Sequence, residues 1–127
     1  MKEFVLLFRM DITSREAQPS EEQMKIYMEQ WMKWVNEISK NGKLANGGNH
    51  FSKNGKVLKP NSTVTDGPYT VNKESVAGYL IILAKDIDDA VLVAKKCPIL
   101  QGEGTSVEIR ETATPGEMKE TKRTSTT

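Results

Sequence analysis

An α+β domain, with one sheet covered on a single face by two helices, is the fold class this sequence predicts, and three observations carry it. Two segments, Phe4 to Phe8 and Val76 to Ala84, are apolar on both faces and read as central strands. Each is followed, after a polar stretch, by residues whose apolar members recur at three- and four-residue spacing, the period of a helix packed on one side. A last segment, Ser106 to Thr112, alternates Val107 and Ile109 with Glu108 and Arg110, as a half-buried edge strand does.

Phe4 to Phe8 is an unbroken run of strand formers closed by Arg9 and the polar stretch from Asp11 to Ser20. Ser20 then supplies an N-cap, Gln23 its capping-box partner, and Glu21 and Glu22 two acids at the positive end of the helix dipole. Met24, Tyr27, Met28, Trp31, Val35 and Ile38 follow as one stripe, so a long helix is expected to about Asn41, with Gly42 as its stop. Leu44 to Phe51 reads as a second strand, in which Gly47-Gly48 implies a bulge or a close backbone approach. Asn54-Gly55 is a hairpin-turn signal whose arms are Phe51-Ser52-Lys53 and Lys56-Val57-Leu58, and Ser62 to Thr65 extends or re-enters that sheet. In the strand Val76 to Ala84, Val76, Gly78, Leu80, Ile82 and Ala84 point one way and Ala77, Tyr79, Ile81 and Leu83 the other. Asp86 caps a second helix with Asp88 and Asp89 in its first turn; Ile87, Ala90, Val91, Ala94 and Cys97 form its buried face, and Pro98 ends it. Gln101 to Gly104 turns into the last strand.

Strand, helix, strand, inserted hairpin, strand, helix, strand is the split βαβ order of a ferredoxin-like domain (βαββαβ with an insertion), in which the first and third principal strands lie centrally. Two helices cover one face of such a sheet. The apolar residues of its second face then call for another cover, and a second copy of the chain supplies it: a homodimer with dimeric α/β-barrel-type packing of opposed sheets. Each large aliphatic side chain left wet instead forgoes roughly 1.5 to 3 kcal/mol.

The 127 residues suffice for one domain, expected over residues 1–113, with residues 114–127 as a disordered polar tail of Thr, Lys and Glu. Eighteen Lys and Arg stand against 17 Asp and Glu, and the tail holds the excess. A neutral body lacks the positive footprint that a phosphate backbone selects, which argues against nucleic acid as a partner. No apolar run approaches the roughly 20 residues of a membrane helix, and Phe4 to Phe8 is too short for a signal-peptide core. A single cysteine, Cys97, forms neither an internal disulfide nor a cysteine-based zinc site. A cytoplasmic, membrane-free protein is the expectation.

Chemistry concentrates before the second central strand. Asp66-Gly67-Pro68-Tyr69, then Lys73-Glu74, Gly78-Tyr79, Lys96-Cys97-Pro98 and Val107-Glu108-Ile109-Arg110 together resemble the YCII-related proteins of the DGPF type, over nearly the whole chain before the tail. Gly47-Gly48 matches a glycine pair that this family tends to carry after its first long helix. The resemblance implies a ferredoxin-like fold that dimerises through its sheets, related in shape to muconolactone-isomerase-like enzymes, with a pocket between sheet, helix and inserted loop. It also implies two kinds of relative: proteins associated with extracytoplasmic-function sigma factors, and enzymes that act on small muconate-type substrates with a His and an Asp. This sequence departs from the pattern twice. Val71 stands where an acid is usual, and no histidine precedes His50.

Asp66 and His50 are the candidate catalytic residues. Asp66 suits a general acid or base at the mouth of the sheet, or else a turn cap before Gly67 and Pro68. His50, the sole histidine, is the residue type suited to proton transfer near neutral pH, or else an exposed loop residue beside flexible glycines. Tyr69, Lys73, Glu74 and Trp34 are the candidate ligand contacts. Lys73-Glu74 suits an acidic substrate or the orientation of Asp66, or forms a solvated pair. Trp31 lies on the core stripe, whereas Trp34 falls off it, toward a pocket rim or a dimer contact. One histidine with scattered carboxylates has no metal-ligand spacing, and no glycine loop has the spacing of a phosphate cradle, so neither a metal nor a cofactor is expected. Two classes of function follow: a cofactor-free acid/base enzyme on a small acidic or lactone-like metabolite near Asp66, or a non-catalytic ligand-binding or regulatory dimer.

Overall fold

The structure, a computed structural model, describes residues 1–11, 19–71, 73–113 and Gly116. Its elements are β1 (Lys2–Met10), α1 (Glu21–Lys40), β2 (Leu44–His50), β3 (Lys56–Lys59), β4 (Thr63–Asp66), β5 (Ser75–Ala84), α2 (Ile87–Ala94) and β6 (Thr105–Glu111). Strands β2, β5, β1 and β6, in that order, make one antiparallel sheet, an arrangement compatible with a ferredoxin-like fold. The two segments that are apolar on both faces, β1 and β5, occupy its centre.

Period-2 alternation sorts the central strands. Phe4, Leu6 and Phe8 of β1 and Leu80, Ile82 and Ala84 of β5 are almost wholly buried beneath the helices, with Phe4 opposite Ile82 and Leu6 opposite Leu80. Trp31, Trp34 and Ile38 of α1, Ala90 and Ala94 of α2, then Cys97 and Ile99, close this core. On the other face Val5 opposes Ile81 and Leu7 opposes Tyr79, all half-buried. Toward the β6 edge that face turns polar. Arg9 Nη2 donates to Glu108 Oε1 at 2.8 Å, and Arg110 Nη1 to Glu108 Oε2 at 3.4 Å. The Arg9 hydrogen bond holds the Glu108 carboxyl below its ordinary value.

Local chemistry sets the helix ends. Gln23 N donates to Ser20 Oγ at 3.2 Å and Ser20 N to Gln23 Oε1 at 3.0 Å, the reciprocal capping box read from the sequence. Gly42, at φ +69°, leads the chain away from the C-terminus of α1. Asp86 caps α2 by accepting from Asp89 N at 2.8 Å. Asp89 in turn accepts from Lys85 N at 3.0 Å and from Lys43 Nζ at 3.0 and 3.2 Å, tying the start of α2 to the connection between α1 and β2.

Two elements, the hairpin and α2, depart from the expectation. The hairpin does not turn at Asn54-Gly55: it pairs Lys56–Lys59 with Thr63–Asp66 through a 3₁₀ turn, Pro60–Ser62, and stands as a separate two-stranded sheet. Asn61 and Ser62 supply the positive φ values, 67° and 60°, that a tight reversal needs, while Gly55 O accepts from Gly67 N at the open end of the hairpin. Helix α2 stops at Ala94, before Pro98, which instead opens a 3₁₀ turn, Pro98–Gln101; Ile87 is 49% exposed rather than part of the buried face. The expected tail, residues 114–127, lies outside the described residues except for Gly116.

Backbone donation from Lys85, followed by the Lys43 hydrogen bond, lowers the Asp89 pKa from 3.8. A carboxyl whose pKa is lowered by folding stabilises the fold above the unfolded pKa, and that contribution fades as pH falls through the folded one. Asp89→Asn is therefore expected to melt below wild type at neutral pH, with the gap closing as pH drops below 3.8. A gap independent of pH in thermal melts would show that the charge is irrelevant.

Candidate functional site

The glycines of β2 and β5 shape the region around the lone histidine. Gly48 takes φ +67°, and a Cβ placed there would stand 1.6 Å from the Tyr79 carbonyl oxygen, so strand β2 can approach β5 only because no side chain intervenes. The pairing register slips between Leu44 and Asn46 and again between Asn46 and Asn49, which sets His50 opposite Gly78. Phe8 faces the same Gly78 from β1. His50, Gly78 and Phe8 thus form one row across the helix-facing side, with a gap where Gly78 has no side chain. Trp31 of α1 spans that gap, its ring centroid 4.8 Å from Phe8 and 5.0 Å from His50. Trp34 packs on the same group at 5.2 Å from Trp31 and 6.0 Å from Phe8.

Beyond this row the cover over α1 thins. The buried residues of α1, Trp31, Trp34 and Ile38, all lie in its second half, while Met24 is 42% and Ile26 53% exposed. The first half of the apolar stripe therefore faces a cavity of about 820 Å³, within the range of small-molecule sites. Its apolar wall includes Phe8, Met10, Met24, Tyr27, Met28 and Trp31, joined by Phe51, Pro98 and Ile99. Polar members are His50, Lys53, Asp11 and Glu103, together with Gln23, Gln30, Ser52, Gln101 and Thr105. A second depression, of about 850 Å³, runs along the solvent side of α1 between Lys25, Glu29, Lys33 and Glu37 and carries no aromatic or histidine side chain.

The segment singled out before β5 lies apart from this cavity. Asp66 ends the hairpin with its side chain 91% exposed, and its carboxylate accepts from Lys56 Nζ at 2.6 Å. Tyr69 is 66% exposed. Lys73 is exposed at φ +69°, and Glu74, just before β5, accepts from Ser106 Oγ of β6 at 2.6 Å. None of these four lines the cavity. Trp34, expected off the core stripe, is 5% exposed, and its indole N–H donates to Val93 O at 3.2 Å, so it fastens α1 to α2. Of the six candidate site residues the cavity takes in His50 alone.

A family model for the YCII-related domain matches residues 8–113, which takes in every element described except the first residues of β1. The chain belongs to this family. No curated protein matches it. In this YCII-related chain the residues that the sequence reading passed over are Tyr27, Met10, Met28 and the 3₁₀ turn Pro98–Gln101, which close the cavity. One signal for them was present: a glycine, Gly78, inside the most apolar strand marks a place where another group approaches the sheet.

Burial pushes the Tyr27 phenol up to about 12, with Cys97 adding to the rise, so Tyr27 keeps its proton. Burial likewise pushes the Cys97 thiol up to about 12, which removes it as a nucleophile at neutral pH. Among the described residues no cluster of three or more His, Cys, Asp or Glu is placed to hold a metal ion, and no helix is long and apolar enough to cross a membrane. What the cavity offers is apolar surface with a neutral phenol and an imidazole in its wall.

Proposed function

We propose that this YCII-related chain binds a small, largely apolar molecule in the cavity beneath the first half of α1, with His50 as the group that exchanges a proton or hydrogen bond with it. One observation carries this reading: His50 lines the cavity, packs its ring on Trp31 and makes no side-chain hydrogen bond among the described residues, so its ring nitrogens have capacity left for a ligand. An imidazole held in this way suits cofactor-free acid/base chemistry. The lactone-like ligand implied by the family resemblance fits this cavity better than the surface around Asp66, whose carboxylate is paired with Lys56. The working state is proposed to be a cytoplasmic homodimer. The half-buried apolar face of the sheet and the exposed hairpin residues Leu58 and Val64, 71% and 58% accessible, support a covering copy. The free, buried Cys97 fits a reducing compartment.

The test is retention of small molecules from a cell extract, read by mass spectrometry on the washed protein. Wild type is expected to retain a compound that His50→Ala retains at least about fivefold less, the loss of one good hydrogen bond, and that Asp66→Asn retains in full. Loss in Asp66→Asn with retention in His50→Ala would move the site to the hairpin and overturn this reading.

A further inference from the structure

The wall of the cavity contains a second polar group with unused bonding capacity. Most of its other polar side chains are already engaged. Gln101 Nε2 donates to Gln30 Oε1 at 3.0 Å, Gln23 belongs to the capping box, and Ser52 Oγ accepts from Asn54 N at 3.2 Å. Thr105 Oγ1 donates to Ile99 O or Gly102 O, 2.8 and 2.7 Å away. Tyr27 differs. It is half-buried, lies one helical turn before Trp31 with its ring 6.1 Å from the indole, and its hydroxyl has no hydrogen-bond partner among the described residues. No buried side-chain oxygen or nitrogen in the described residues lacks a partner, so this hydroxyl is not sealed in the core and keeps access to open space.

Resting on the cavity proposed above, we infer that Tyr27 is a ligand-contacting residue that donates a hydrogen bond to the oxygen of a neutral carbonyl compound, a ketone or amide borne on an apolar ring. Tyr27 and His50 flank one indole, so a ligand reaching both lies against Trp31. The body of such a ligand meets Phe8, Met10 and Met28, and the thioethers adapt to its outline. Neutrality follows from the wall. Among the described lining residues the one lysine, Lys53, is exposed and Glu103 also lines the space, so a carboxylate drawn in beside Tyr27 would find no buried cation among them to offset its desolvation. A phenol that keeps its proton at every physiological pH is the donor a carbonyl oxygen needs.

A matched pair of probes tests this: 2-acetylnaphthalene and 2-ethylnaphthalene, alike in shape and differing in the carbonyl, titrated into the full chain by equilibrium dialysis. Wild type is expected to bind the ketone about threefold to tenfold more tightly than the hydrocarbon, the range of one net hydrogen bond. Tyr27→Phe should bind both equally, with hydrocarbon affinity unchanged. The carbonyl stretch of bound 2-acetylnaphthalene should lie at lower frequency in wild type than in Tyr27→Phe, a shift that loss of packing alone does not produce. Equal affinities in wild type, or an unshifted carbonyl band, would overturn the role of Tyr27 and leave the cavity standing. Failure of both probes to bind wild type would overturn the cavity reading and this inference together.

Discussion

Gly48→Ala is expected to lower the melting temperature by more than about 10 °C, whereas Gly47→Ala, one residue away, changes it by no more than a few degrees. The difference is geometric. At Gly47 nothing lies within 4 Å of an added Cβ, and the position is exposed. At Gly48 the Cβ would stand 1.6 Å from the Tyr79 carbonyl oxygen and 2.6 Å from its carbon, both backbone atoms, on a residue already at φ +67°. Neither atom belongs to a side chain that can swing aside, so β2 must peel from β5. Lost pairing opposite Tyr79 and Gly78, added to left-handed strain, puts the cost on the order of 3 to 5 kcal/mol, the range kept for substitutions with a named steric cause. Because the same pairing holds His50 in the cavity wall, any folded fraction of Gly48→Ala should also bind ligand poorly. Thermal melts of the two variants side by side decide it: equal midpoints would mean that the strands do not approach as described.

This contrast also shows what the sequence made legible and what it hid. Helix α1 was readable from Ser20 to Gly42 because its signals are local: a capping box, a 3.6-residue stripe and a glycine stop act within a few residues of chain. The two central strands are readable because both of their faces are apolar, which leaves no polar residue to confuse the period. The hairpin turn is not legible because two turn signals compete within nine residues, and the Asn54-Gly55 dipeptide outranks Pro60-Asn61-Ser62 on local preference alone. What decides between them is the pairing of β3 with β4 and the Gly67 N to Gly55 O bond across their open end, cross-strand contacts that a dipeptide preference does not report.

The cavity was hidden for a related reason. Met24, Tyr27 and Met28 carry the same helical period as Trp31 and Ile38, and periodicity reports which side of a helix is apolar, not whether a sheet still lies beneath it. The first half of α1 walls a space while its second half packs a core. Asp66 stood out instead because it sits in a conspicuous motif. In the fold Asp66 of that motif pairs with Lys56 across the hairpin, and Glu74 ties the start of β5 to β6 through Ser106.

Ile81→Lys is expected to convert the protein from a particle of twice the 14.2 kDa chain mass to one of 14.2 kDa while leaving its helical circular dichroism intact. Ile81 lies on the central strand β5, opposite Val5 and on the face the helices leave uncovered. It is half-buried within one chain, so a lysine there can extend into water in an isolated monomer at little cost. Packed against a second sheet, the same ammonium would be dehydrated and, by the two-fold symmetry of such an interface, brought near its own counterpart. The penalty falls on the dimer and spares the fold, which is why mass and secondary structure should separate. Leu7→Glu, on the same face opposite Tyr79 and Glu108, should act alike, whereas Met32→Lys on the solvent side of α1, already 52% exposed, should leave the dimer whole. Light scattering at micromolar concentration reads all three. A wild-type mass of 14.2 kDa would refute the opposed-sheet dimer outright, and dissociation by Met32→Lys but not by Ile81→Lys would move the interface to the helices.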